Sequence, residues 1–134
     1  MGKLGRGRSP LGPILRLFHA APHLYAVAMK NVRIGLFGIG LDAYWPQFKG
    51  LEKRLTDYGR FVGKRLKALG ADVVDVGMVD DQPKAVAAGD RFASERVDLV
   101  ICYVTTYSTS SQVLPAVQRV KKPVLILNLQ PTAQ

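Results

Sequence analysis

The strongest constraint on this chain is an alternation. From residue 32 onward, short, largely apolar runs alternate with longer amphipathic segments of helical period. The runs are Val32–Gly38, Asp72–Met78, Asp98–Val104 and Val124–Leu129. Runs of this length bounded by turn residues read as strands, and rich apolar content suits strands buried on both faces. Between the first two, Phe48, Leu51, Leu55, Tyr58, Val62, Leu66 and Leu69 recur every three or four residues. That spacing predicts a helix of about six turns. Pro46 suits its first position and Gly70 the residue just past its end. A second helix is expected to open at Asp80, Asp81 and Pro83, both acids serving its first turn, with Val86, Phe92 and Ala93 inward. A third is expected to carry Val113, Leu114, Val117 and Val120, and Pro115 predicts a late start or an irregular first turn.

Strands joined by helical crossovers make an α/β domain with a parallel sheet and helices on both faces. The expected architecture is flavodoxin-like, strand order 2-1-3-4, incomplete at its carboxyl end, where a fifth strand and helix usually follow. Its crevice lies at the carboxyl ends of strands one and three. With 134 residues the chain has room for one domain, expected over residues 29–134.

Residues 1–28 carry Lys3, Arg6, Arg8 and Arg16 and no acid. Arg16, His19, His23, Pro13 and Pro22 interrupt the apolar centre that a secretory signal needs. The segment reads as a disordered or non-native leader ahead of Met29-Lys30-Asn31. It also holds four of the cations behind the net charge of +9. The remaining charges punctuate helix faces, with no basic stripe interleaved with aromatics, so no nucleic-acid partner is expected. No apolar stretch reaches the roughly 20 residues that span a bilayer, so no membrane association is expected. Cys102 is the one cysteine, which removes an internal disulfide and fits a cytoplasmic protein.

The loop after strand one contains Gly38, Gly40 and Ala43, the spacing of a dinucleotide fingerprint. Bulky Tyr44 and Trp45 and a helix start delayed by Pro46 argue against that use, since the pyrophosphate must reach a helix N-terminus. The loop lacks the Ser/Thr run of a flavodoxin phosphate site, and Asp42 stands without the second acid of a receiver domain. The loop after strand three, Thr105 to Gln112, is instead rich in hydroxyls and amides. One of them must cap the next helix. The surplus suits a polyol, with Asp42, Tyr44 and Trp45 offering a carboxylate and a stacking face opposite. Both histidines lie in the leader, and Glu52 and Glu95 both lie within helices. A Ser-His-Asp triad and a histidine-containing metal site are therefore not expected in residues 29–134.

The run Gly35–Phe48 and the run Tyr103–Gln112 resemble the amino-terminal domain of the L-arabinose/L-fucose isomerase family. The resemblance extends from about Met29 to Gln130. In L-arabinose isomerases proper, the first loop carries Gln-His-Leu-Tyr where this chain has Leu41-Asp42-Ala43-Tyr44. After strand three, Thr-Phe-Ser is matched by Thr106-Tyr107-Ser108, and a preceding His is replaced by Thr105. The match is therefore to a divergent branch. The resemblance implies a domain that closes a neighbouring subunit's sugar site in a homo-oligomer, with Asp42, Tyr44, Trp45, Thr105, Thr106, Tyr107 and Ser108 as substrate contacts. It implies no catalytic or metal ligand in this chain. A divalent metal, usually manganese, would be held by Glu and His residues of later domains. The other reading is a stand-alone flavodoxin-like module that binds a sugar or a partner without catalysis.

Overall fold

A computed structural model describes residues 32–129. The expected leader over 1–28 and start at Met29 lie outside them. Four strands, β1 (Arg33–Ile39), β2 (Asp72–Val79), β3 (Leu99–Val104) and β4 (Val124–Asn128), form one sheet in the order β2-β1-β3-β4. All three pairings are parallel. Helices α1 (Leu51–Ala68), α2 (Gln82–Ser94) and α3 (Ser110–Gln118) occupy the crossovers. The α/β flavodoxin-like order expected from the alternation is the order found.

Two apolar layers hold the sheet. On one face Ile34, Leu36, Val73 and Ile101 meet Val62 and Leu66 of α1. On the other, Phe37, Ile39, Val100 and Cys102 pack with Phe92 of α2 and Ala116 of α3. Burial raises the Cys102 thiol to about 11, so it stays protonated and serves as a small core side chain.

Several elements depart from expectation. Helix α1 has 18 residues, about five turns, and begins at Leu51 rather than at Pro46. Asp42–Tyr44 form a single 3-10 turn, and Gly50 precedes the helix at φ 79°, a left-handed conformation that ends one turn before the next begins. Phe48 and Leu69 therefore fall outside the buried stripe and are exposed. At the other end Gly70 sits where expected, its amide donating to Lys67 O while Ala71 N–H reaches Leu66 O, a Schellman closure.

In α2 the residues facing inward are Ala85, Ala88, Gly89 and Phe92, while Val86 is half-buried and Ala93 exposed. The face is set by close packing on α3. A Cβ on Gly89 would lie 2.3 Å from the Pro115 carbonyl oxygen. Pro115 sits inside α3 without delaying its start, because the cap is strong. Gln112 reaches back to accept from Thr109 N–H at 2.8 Å. Leu114 of α3 is exposed. Strand β2 runs one residue further than expected and is bulged. Its register with β1 shifts between Leu36 and Gly38, opposite Gly77 at φ 76°. Asp75 Oδ1 accepts from Gly77 N–H at 2.9 Å and fixes the kink. Strand β4 ends at Asn128 rather than Leu129.

Candidate functional site

Ile39 and Val104 are register partners at the carboxyl ends of β1 and β3, so the two polar loops leave the sheet side by side. Two threonines join them. Thr105 donates to the Ile39 carbonyl from both its amide, at 3.1 Å, and its hydroxyl, at 2.6 Å. Leu41 N–H donates to Thr106 Oγ1 at 3.2 Å, and that hydroxyl turns to the Tyr107 carbonyl at 3.1 Å. Small hydroxyl side chains can serve backbone groups in this way because their reach matches one lost ladder bond.

The first loop is also tied to the end of β2. Gly40 N–H donates to Val79 O at 3.1 Å. The indole Nε1 of Trp45 donates to Asp80 Oδ2 at 2.7 Å. The other Asp80 oxygen takes the Lys84 ammonium, one helical turn along α2. Gln112 Nε2 donates to the Asp80 carbonyl, which brings the α3 N-terminus into the same knot. Asp80 is 2% exposed. Burial pushes its carboxyl up, but the hydrogen bonds from Lys84 and Trp45 and the Lys84 charge outweigh that and hold it below the usual carboxylate value. The Asp80 hydrogen bond in turn raises Lys84. Asp80 was expected to share the first-turn role with Asp81. Only Asp81 has it, capping α2 by accepting from Lys84 N–H at 2.7 Å.

The residues predicted as contacts thus divide in two. Thr105, Thr106 and Trp45 have their polar atoms engaged within the fold. Asp42 is exposed, with one carboxylate oxygen on its neighbour's amide, Ala43 N–H, at 2.7 Å. Tyr44 stands edge-on to Phe48, ring centroids 6.0 Å apart. No hydrogen bond among the described residues engages the side chains of Tyr44, Tyr107 or Ser108, and Tyr107 is exposed. The rim therefore offers one carboxylate, two phenols and a hydroxyl, mixed donors and acceptors of the kind a polyol pairs with.

No protein-family model and no curated protein matches this chain.

Among the described residues no group of three or more His, Cys, Asp or Glu could hold a metal ion. The manganese that the resemblance implies would be held by Glu and His residues of other domains. No helix among the described residues is long and apolar enough to cross a membrane.

Sequence reasoning missed Asp80, Lys84 and Gln112 as the framework of the crevice. A usable signal existed. Trp45 in a polar loop needs a partner for its indole N–H, and Asp80 and Lys84 stand at the i, i+4 spacing of an ion pair.

Proposed function

We propose that this chain is the substrate-closing and oligomerisation domain of a cytoplasmic aldose–ketose isomerase of the L-arabinose/L-fucose type. The observation that carries the reading is the joining of the β1 and β3 loops through Thr105 and Thr106, the two runs that bear the resemblance. On this reading Asp42, Tyr44, Tyr107 and Ser108 meet the sugar. Trp45 supports the rim from behind, held at Asp80. On this reading the sugar lies between this rim and the surface of a neighbouring subunit, and the metal with its Glu and His ligands comes from further domains.

Isomerisation needs a base at the substrate carbon and an electrophile at its oxygens. The rim supplies hydrogen bonds that orient hydroxyls and exclude water, and it supplies no such pair. The test is to read the gene past the codon for Gln134 and assay the product with manganese for ketose formation from L-arabinose and L-fucose. The expected result is turnover by that product and none by the 134-residue chain. Tyr44→Phe and Ser108→Ala should each raise KM several-fold, the loss of a single hydrogen bond, with the melting temperature unchanged. Turnover by the 134-residue chain alone, or none by the longer product, would overturn the reading.

A further inference from the structure

Beneath the crevice, between α1 and the carboxyl halves of β1, β2 and β3, lies a cavity of about 260 Å³. Its walls include Leu36, Leu55, Met78 and Tyr103, and its mouth Thr56, Arg60 and Asp75. An adjoining hollow of about 190 Å³ shares Arg60 and Asp75 and adds Lys64 and Lys67.

The cavity is maintained at a cost. Gly59 lies in the middle of α1, where glycine destabilises a helix relative to alanine. A Cβ there would meet nothing closer than the Tyr103 ring at 3.6 Å, an ordinary contact. Alanine would fit, and a longer side chain would enter the cavity. The second observation is Tyr103. It is 1% exposed, yet its hydroxyl makes no hydrogen bond among the described residues. Tyr103 lines the cavity, and no sealed side-chain oxygen or nitrogen among the described residues lacks a partner. Buried phenols ordinarily find a partner. Burial and the neighbouring Tyr58 both raise its pKa.

We propose that this cavity binds a small molecule with a ring-sized apolar body, an anionic head held by Arg60 with Lys64 and Lys67, and a distal oxygen paired with the Tyr103 hydroxyl. Size sets the body. A cavity of roughly 150 Å³ takes benzene, and drug-sized sites start at roughly 300 Å³. This volume therefore suits one ring with substituents. Charge sets the head. Arg60 spends one nitrogen on Asp57, at 3.0 Å, and keeps its other donors. Asp75 keeps its charge at the mouth, with one oxygen accepting from the Gly77 amide, so the two hollows are lined by three cations against one carboxylate.

The test titrates the 134-residue chain with 4-hydroxyphenyl phosphate and with phenyl phosphate, following backbone amide resonances. Sugar turnover plays no part, so this proposal can fail or stand independently of the isomerase reading. Saturable shifts at Gly59, Gly77 and Tyr103 are expected. Arg60→Gln should weaken binding roughly tenfold, the loss of a charged hydrogen bond. The 4-hydroxyl should tighten binding several-fold in the wild-type chain and not at all in Tyr103→Phe. Gly59→Leu should abolish the shifts, and Gly59→Ala should raise the melting temperature. Binding that survives Gly59→Leu, the absence of saturable shifts at millimolar probe, or an equal 4-hydroxyl gain in Tyr103→Phe would each overturn the proposal. So would inorganic phosphate shifting the same amides equally well. A large drop in melting temperature for Tyr103→Phe would show that the hydroxyl has a protein partner and would also overturn it.

Discussion

The two edges of the sheet are written differently. At the β2 edge, Asp72 and Asp75 are exposed, Gly77 bulges the strand, and Arg33 of the neighbouring β1 pairs with Asp72 at 2.6 Å. Charge and a bulge are the devices that stop an edge from pairing with another chain. At the β4 edge there are none. Val124, Leu125, Ile126 and Leu127 pair with β3 in unbroken register and carry no charge. Val124 is 41%, Leu125 49% and Ile126 61% exposed. Val124 and Ile126 sit opposite Val100 and Cys102, whose side chains α2 and α3 cover, while Leu125 sits opposite Ile101 on the α1 face. Apolar side chains thus reach solvent on both faces of one edge strand, whose outer backbone groups pair with no other strand among the described residues. Among the described residues one edge is blunted by charge and a bulge, and the other is apolar and exposed.

That contrast can be broken by substitution. The largest difference is expected between Phe92→Ala and Ile126→Ala. Phe92 is fully buried against Phe37, and its loss should cost about 3–5 kcal/mol. Ile126 should cost about 0.5 kcal/mol or less in the monomer, as surface substitutions do. Urea unfolding of both variants compares them directly. An Ile126→Ala cost near that of Phe92→Ala would mean that β4 is already covered.

The knot at the end of β2 comes next. Trp45→Phe removes one donor from the buried Asp80 carboxylate and should cost about 1–3 kcal/mol. The pH response follows from the sign of the shift. Asp80 is held below its ordinary value of about 3.9, so its stabilising contribution is present above that pH. The contribution is lost as pH falls through the lower folded value. Acid unfolding below about pH 4 should therefore be less steep in Asp80→Asn than in the wild type. Equal slopes would mean that Asp80 does not carry the acid sensitivity.

A smaller effect is expected at the bulge. A Cβ on Gly77 meets nothing within 4 Å, so Gly77→Ala should cost only the left-handed penalty, about 1–2 kcal/mol. A null result would mean that the bulge does not depend on that conformation.

The strands and their order were legible because the apolar runs and the helical period between them are long enough to read. The start of α1 was not. Pro46 fits a first helical position equally well in a turn, and the 3-10 turn before it is fixed by contacts to Asp80 from 35 residues away. The crevice could be located at the strand ends, whereas the division of its hydroxyls between fold and rim could not. That division depends on which backbone groups Thr105 and Thr106 meet across the loops. The cavity under α1 left little trace, because it is opened by an absent side chain at Gly59 and lined by residues such as Tyr103 that come from distant parts of the chain.

The claim that β4 is the joining edge is tested most directly by sedimentation velocity on the 134-residue chain over a range of concentrations, beside Ile126→Lys. Lysine in the middle of an edge strand blocks strand pairing. The wild type is expected to self-associate reversibly, and Ile126→Lys to be a folded monomer. A wild type that stays monomeric at the highest concentrations, or association that persists in Ile126→Lys, would contradict it.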